Sequence, residues 1–220
     1  MKSKVMFVCL GNICRSPMAE AVFNHLAAEK GMSDSVKASS SGTAGYHEGG
    51  NADHRTIKTL RSHGVQINHT AHKITKADIA GYDLIFAMDS ENLHNIERLA
   101  GGADKKIMLF RKFDPKGPGD VPDPYYGSEA DFEIVYEMCL RTCEKIIEYI
   151  IERPLGYVID SAIEGGTSSL KIEDAIEFSL RIGMDAVGAD FVYLPGQRFG
   201  KSQNGNIHYI GGYIKSREDI

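Results

Sequence analysis

The chain has 220 residues, of which 42% are hydrophobic and 25% charged, and its formal net charge is −5. These values are typical of a globular protein with one large domain, or with a domain of about 150 residues and a smaller second part. The negative net charge gives no reason to expect a nucleic acid or an anionic membrane surface as partner.

A strand, a loop and a helix are predicted at the start of the chain. An apolar, strand-prone run at residues 5–8 leads into the sequence CLGNICRSP at residues 9–17. An amphipathic helical pattern follows at residues 18–30, with its apolar residues on one side. This order aims backbone N–H groups and a helix N-terminus at one point, where anions bind. Pro17 is predicted to be the first helical residue, because its φ is fixed and it has no N–H to lose.

The loop is interpreted as a cradle for a phosphate-like dianion, with Cys9 as a nucleophile at its base. The helix dipole and the Arg15 guanidinium both favour the thiolate form of a cysteine at this place. On the spacing of Cys9 and Arg15 alone, an ordinary buried cysteine at the end of a strand remains the alternative, since such a spacing also occurs by chance.

Strands and helices alternate through the first half of the chain. Strands are predicted at residues 36–41, 83–88 and 106–110, and helices after the first at residues 53–63 and 89–99. Asp53 has the position of an N-cap, and Gly64 that of a helix end. The alternation predicts an α/β fold with a parallel twisted sheet flanked by helices, and a site at the carboxyl ends of the strands.

A proline-rich loop is predicted at residues 112–127. Prolines on both sides of Asp123 restrict the backbone there. Tyr125 and Tyr126 follow as adjacent aromatic residues, which are harder to explain as core. Taken alone, the segment is more typical of an ordinary turn with a solvated aspartate.

A long amphipathic helix is predicted at residues 129–152. Cys139 and Cys143 lie one helical turn apart on its apolar face, and two thiols without further ligands make a poor metal site. They are therefore predicted to be core residues. The apolar face is formed by Phe132, Val135, Tyr136, Cys139, Leu140, Cys143, Ile146, Ile147 and Ile150.

The sequence RPLG at residues 153–156 predicts a domain boundary. Residues 1–152 would form the first domain, and residues 153–220 a small C-terminal α+β extension of unknown role. Within the extension, residues 172–184 have a helical pattern, and residues 191–194 and 207–210 are predicted to pair as a hairpin. A unit of 68 residues folds alone only marginally.

The cysteines and the N-terminus indicate a cytoplasmic protein. The four cysteines do not resemble a secreted disulfide framework. The apolar run near the N-terminus is too short for a signal peptide, and Asn12 and Arg15 follow it closely. No run approaches the roughly 20 apolar residues of a membrane span.

Two segments together, residues 9–17 and residues 123–127, resemble the low-molecular-weight protein tyrosine phosphatase family. Their order and separation are those of the family, and the resemblance ends near residue 152. The resemblance implies a three-layer, Rossmann-like fold of the phosphotyrosine phosphatase I type. Further matching segments are residues 40–43, Asp53, residues 60–64 and residues 87–89.

The resemblance also implies an activity: hydrolysis of phosphotyrosine or another aryl phosphate through a cysteinyl-phosphate intermediate, without a metal or cofactor. The substrate would be a phosphotyrosine-containing protein or a small aryl phosphate. The implied site comprises the catalytic residues Cys9, Arg15 and Asp123, the phosphate-binding loop residues Leu10, Gly11, Asn12, Ile13, Cys14 and Ser16, the substrate wall Tyr46, Tyr125 and Tyr126, and the supporting residues Ser40 and His69.

Other functions stay open at this point. Relatives that act on phosphoarginine resemble this loop but carry threonine at the position of Ile13, so isoleucine favours phosphotyrosine. Arsenate reductases with the same loop use a later cysteine pair near the middle of the chain, and here no cysteine lies between Cys14 and Cys139. A small-metabolite phosphatase and a phosphate-binding module without catalysis are further alternatives. The resemblance also implies a reversible Cys9–Cys14 disulfide under peroxide, and a small buried loop residue is the alternative for Cys14.

Overall fold

A computed structural model describes residues 3–152, 191–194, 197–201 and 207–211. The chain divides into two units, Met1–Ile147 and Glu148–Ile220. The predicted domain boundary after Glu152 stays a prediction.

The first unit is built on a four-stranded, fully parallel sheet with the strand order β2-β1-β3-β4. The predicted α/β fold with a parallel sheet and flanking helices is therefore confirmed. The strands are β1 (Ser3–Cys9), β2 (Val36–Gly42), β3 (Leu84–Ala87) and β4 (Ile107–Leu109), and the helices are α1 (Arg15–Glu29), α2 (His54–Ser62), α3 (Lys76–Gly81), α4 (Ser90–Ala100) and α5 (Glu129–Glu152).

The strand β1 fixes the place of the site. Its residues 5–8 are fully buried, and β2 pairs with one edge of the strand and β3 with the other. From β1 the chain crosses over to β2 on one side of β1 and then returns to β3 on its other side, and this reversal of the strand order opens a crevice beyond the carboxyl ends of the strands. Cys9 is the last residue of β1 and lies at this crevice.

Helix α1 differs from its prediction in two ways. It begins at Arg15, so that Pro17 is the third helical residue and not the first. Proline is tolerated there because the N–H groups of the first turn have no partner within the helix. The helix is also buried around most of its circumference, since it contacts β1, β2 and α2; its apolar residues do not form a single stripe.

The other long helices follow the sequence pattern. Asp53 and Asp89 cap α2 and α4 with their carboxylates, and α5 has the predicted bounds. Cys139 and Cys143 are fully buried, as expected of core residues. Helix α3 was not predicted, although Thr75 and Asp78 form a capping box at its start.

Three antiparallel strands are described in the second unit: β5 (Phe191–Leu194), β6 (Gln197–Lys201) and β7 (Ile207–Gly211). The predicted hairpin is wrong, because β5 and β7 each pair with β6 and not with each other. β6 contains one strongly apolar residue, Phe199, so no alternating pattern marks it in the sequence. The predictions for residues 156–163 and 172–184 lie outside the described residues. None of the helices in the described part is long and apolar enough to cross a membrane.

Candidate active site

Cys9 lies at the base of a loop between β1 and α1. Its Sγ is 3.0 Å from Ser16 Oγ and accepts a hydrogen bond from the Asn12 N–H at 3.2 Å. The N-terminus of α1 has no side-chain cap and no acidic residue in its first turn. Its partial positive charge is therefore available to an anion bound above the sulfur.

The carbonyl oxygens of the loop are bonded to other segments. Those of Cys9, Leu10, Asn12 and Ile13 accept hydrogen bonds of 2.8, 2.9, 2.8 and 2.8 Å from Thr43 N, Ala44 N, His69 Nε2 and Asp53 N. The C=O and N–H of a trans peptide point in opposite directions. The next N–H groups along the loop therefore face its interior, which is the arrangement that binds phosphate oxygens.

Asn12 holds the loop in a strained conformation. Its φ is +56°, in the left-handed region, which a side chain makes unfavourable unless the surroundings enforce it. The Asn12 amide donates to Ser16 Oγ and Ser40 Oγ and accepts from the His72 N–H. Because Ser16 Oγ accepts from Asn12, its one O–H proton can be donated either to the Cys9 sulfur at 3.0 Å or to the Ser41 carbonyl at 3.3 Å.

Glu20 sets the direction of these hydrogen bonds. Ser40 Oγ donates to Glu20 Oε2 at 2.7 Å, so that its lone pairs accept from the Asn12 amide. His69 donates from Nε2 to the Asn12 carbonyl, and its Nδ1 is 3.4 Å from Glu20 Oε2. Ser40 and His69 thus contact Asn12 from outside the cavity, and neither of them lines it.

Arg15 joins the loop to the segment that carries Asp123. Its Nη1 donates to Asp89 Oδ2 at 2.7 Å and to the Val121 carbonyl at 3.1 Å, and its Nη2 donates to Asp123 Oδ2 at 2.8 Å. Burial would lower the pKa of Arg15, but the negative charges of Cys9, Asp123 and Asp89 raise it above its usual value. The buried Nε has no hydrogen-bond partner among the described residues, and a bound phosphate oxygen would supply one.

The segment that carries Asp123 is anchored to α5. The buried Asp114 carboxylate accepts hydrogen bonds from Arg141 Nε at 2.7 Å and Arg111 Nε at 2.8 Å. Burial acts to raise the pKa of Asp114, but these guanidinium groups hold it well below its usual range. Arg111 also donates to the carbonyls of Gly117 and Asp120, so that the approach to Asp123 is fixed by charge-assisted hydrogen bonds.

A cavity of about 180 Å³ brings most of the predicted site residues together. Its aromatic wall is open, because Tyr46 is 79% and Tyr126 96% exposed. The Tyr125 and Tyr126 rings meet edge to face, with centroids 4.9 Å apart. The lining comprises Cys9, Leu10, Gly11, Ile13, Cys14, Arg15, Tyr46, His47, Asp123, Tyr125 and Tyr126.

Known proteins are similar to this chain in sequence and in fold. The family model described as low molecular weight phosphotyrosine protein phosphatase matches residues 4–154. The chain belongs to this family. A relative from Mus musculus, a low molecular weight phosphotyrosine protein phosphatase, is 43% identical over 147 residues, which cover 66% of this chain and 93% of the relative.

Two solved structures extend the comparison. A protein tyrosine phosphatase from Entamoeba histolytica with Hepes in its active site has a TM-score of 0.65 at 36% identity, over 69% of this chain and 98% of that chain. A Drosophila arginine phosphatase has a TM-score of 0.62 at 32% identity, over 68% of this chain and 98% of that chain. The predicted family is therefore confirmed, and the chain is a cysteine-dependent phosphatase of that family.

Several residues that shape this phosphatase site were not predicted as site residues. Asp89, which pairs with Arg15, follows β3 at the carboxyl edge of the sheet, and that position is a signal that the sequence offers. His47 packs against Gly11, where an added Cβ would lie 3.1 Å from the imidazole. Glu20 is one helical turn beyond Ser16, and nothing local in the sequence distinguishes it from a surface glutamate.

The thiol of Cys14 is buried within the loop. Burial, and then the nearby Asp53 carboxylate, raise the pKa of the Cys14 thiol well above its usual value. Both cysteines are free thiols, so a disulfide between them stays a prediction. Across the described part of the chain, no three His, Cys, Asp or Glu side chains are grouped so that they could hold a metal ion.

Proposed function

We propose that Cys9, Arg15 and Asp123 catalyse hydrolysis of phosphotyrosine in proteins and of small aryl phosphates. One observation carries this proposal: the Cys9 sulfur, the Arg15 guanidinium and the Asp123 carboxylate line one cavity whose walls are aromatic. A nucleophile, a cationic fork and an acid at one phosphate-sized site are the groups that a two-step phosphoryl transfer needs.

In the first step, the Cys9 sulfur attacks phosphorus while the bond to the aryl oxygen breaks. The proton of the Asp123 carboxyl passes to that leaving oxygen. The N–H groups of the loop and the Arg15 fork stabilise the equatorial oxygens, where charge is redistributed in the transition state. Arg15 binds Asp123 in the free protein, and a phosphate on Arg15 would release this carboxyl toward the leaving group.

In the second step, a water molecule attacks the phosphorus of the cysteinyl-phosphate, and the S–P bond breaks. Asp123, now a carboxylate, accepts the proton of this water. The sulfur leaves with its charge stabilised by Ser16 and by the Asn12 N–H, which lie 3.0 and 3.2 Å from Sγ. Inorganic phosphate is released, and the thiolate is restored.

The proposed preference for phosphotyrosine is supported by Ile13 and the tyrosine wall. Ile13 lines the cavity as an almost fully buried apolar side chain, and it offers no hydrogen bond to a guanidinium group. A flat aryl ring can stack on Tyr125 while its phosphate reaches Cys9. A phosphoserine has no ring to make this contact.

Peptides of one sequence that carry phosphotyrosine, phosphoserine or phosphoarginine test this preference. We expect kcat/KM for phosphotyrosine to exceed the other two by a factor on the order of 10–100, because only the aryl group gains the apolar contacts. Ile13→Thr should reduce the advantage over phosphoarginine. Faster turnover of the phosphoarginine peptide by the unchanged protein would contradict the proposed substrate.

We further propose that residues 1–152 form the phosphatase domain, with the remaining residues as an addition of separate role. The match of the family to residues 4–154 supports this boundary. A cytoplasmic location is proposed on the chemistry of the cysteines, which are free and buried and have no secreted disulfide pattern.

A further inference from the structure

Arg55, in the first turn of α2, binds the segment that follows Asp123. Its Nη2 donates to the Tyr125 carbonyl at 2.9 Å, and its Nη1 donates to the Gly127 carbonyl at 3.1 Å. The same guanidinium lies over the Phe132 ring at 4.5 Å from its centroid. Two hydrogen bonds and a cation–π contact therefore fix this turn to α2.

Tyr125 links Arg55 to Asp123 through hydrogen bonds of its backbone. Its N–H donates to Asp123 Oδ1 at 3.1 Å, while its carbonyl accepts from Arg55. Tyr125 is thus bound to the Asp123 carboxylate through its N–H and to the Arg55 guanidinium through its carbonyl. The orientation of the Asp123 carboxyl depends on the place of this residue.

Asp53 connects Arg55 to the loop of the nucleophile. Its carboxylate accepts from Arg55 Nε at 3.0 Å and Nη2 at 2.9 Å, and its N–H donates to the Ile13 carbonyl at 2.8 Å. The hydrogen bond from the Arg55 side chain lowers the pKa of Asp53, as expected of a bidentate ion pair. The Asp53–Arg55 pair thus lies between the loop and the turn after Asp123.

We propose that Arg55 is a positioning residue for the general acid: it sets the distance and orientation of Asp123 relative to the Cys9 loop. This proposal rests on the proposed function, in which Asp123 protonates the leaving group. Lysine cannot replace Arg55 fully, because a single ammonium does not bind the Asp53 carboxylate and two backbone carbonyls in the fixed geometry of the fork.

The test is the leaving-group dependence of kcat/KM for a series of aryl phosphates, measured with the full chain. This constant reports the steps through phosphoryl transfer to Cys9. Asp123→Ala serves as the reference for loss of the acid, and Arg61→Met, which removes an exposed arginine from the last turn of α2, is the matched control. Each sample is normalised to active sites titrated with vanadate.

We expect that in Arg55→Met, as in Asp123→Ala, kcat/KM falls more steeply from good to poor leaving groups than in the unchanged protein. The kcat/KM of Arg55→Met should fall on the order of 10–100-fold for poor leaving groups and only a few-fold for p-nitrophenyl phosphate, since a positioned acid contributes about 10²–10⁴-fold in all. Arg55→Lys should lie between Arg55→Met and the unchanged protein. In the Asp123→Ala background, Arg55→Met should have little further effect, because the residue through which it acts is gone.

An equal loss for every leaving group would overturn the proposal and assign Arg55 a structural role only. The proposal would also be overturned if the losses of kcat/KM caused by Arg55→Met and by Asp123→Ala were fully additive. If Arg55→Met does not fold, the leaving-group dependence of kcat/KM for Arg55→Lys decides by the same criterion. If Asp123→Ala itself showed the leaving-group dependence of the unchanged protein, Asp123 would not be the general acid of the proposed function. Failure of the proposed function is therefore distinguishable from failure of the proposal for Arg55.

Discussion

Replacing Cys9 with serine is expected to abolish turnover of p-nitrophenyl phosphate, with a loss on the order of 10⁴–10⁶-fold. Serine has nearly the same size, and its hydroxyl can keep the contact with Ser16 Oγ, so the loop should keep its shape. A hydroxyl is however a poor nucleophile without an adjacent base. The hydrogen bonds to Cys9 Sγ in this structure come from groups that stabilise an anion and do not remove a proton.

Two controls separate chemistry from folding in this experiment. Cys9→Ser should still bind inorganic phosphate, measured by calorimetry, because Arg15 and the loop N–H groups are unchanged. Cys139→Ala removes a different buried thiol, on α5 and outside the cavity, and should keep its activity per folded molecule. Turnover by Cys9→Ser within tenfold of the unchanged protein would contradict the assignment of the nucleophile.

The second large effect is expected for Arg15→Lys, which keeps the positive charge and removes the planar fork. We expect kcat to fall by a factor on the order of 10²–10³, comparable to the loss of a preorganised donor worth ~3–4 kcal/mol. One ammonium cannot bind Asp89, the Val121 carbonyl and Asp123 as Arg15 does. The variant therefore loses transition-state contacts and the contact that holds the acid segment.

Steady-state kinetics with p-nitrophenyl phosphate and competition by inorganic phosphate measure this effect. Arg98→Lys, at an exposed arginine in the last turn of α4, is the control and should behave as the unchanged protein. A kcat for Arg15→Lys that stays within a few-fold of the unchanged protein would show that the fork geometry is not needed for catalysis.

The sequence predicts the parts of this site that are local. The loop of residues 9–17 lies between a strand and a helix within one continuous segment, so its residue types and their spacing describe its geometry. Helix α5 follows a sustained apolar repeat, and its bounds agree with the prediction. Asp123 is further along the chain, and it was assigned through the family resemblance and not through its own surroundings.

Contacts between distant segments are the part that the sequence did not predict. Asp89 meets Arg15 because β3 pairs with β1 and leaves its next residues beside the loop. Arg55 meets the turn after Asp123 only once α2 and that turn lie side by side. Such pairs depend on strand register and helix placement. Asp89 is marked only by its position after β3, and nothing in its own segment marks Arg55.

Trapping the cysteinyl-phosphate tests the role of Cys9 most directly. The protein is mixed rapidly with p-nitrophenyl phosphate, quenched in the steady state, and mapped by peptide mass spectrometry, with the Cys9→Ser variant in parallel. We predict a phosphoryl group on the sulfur of Cys9, accompanied by a burst of p-nitrophenol, and no such adduct in the variant. A phosphoryl group on another residue, or steady turnover without any adduct, would contradict the central claim that Cys9 is the nucleophile.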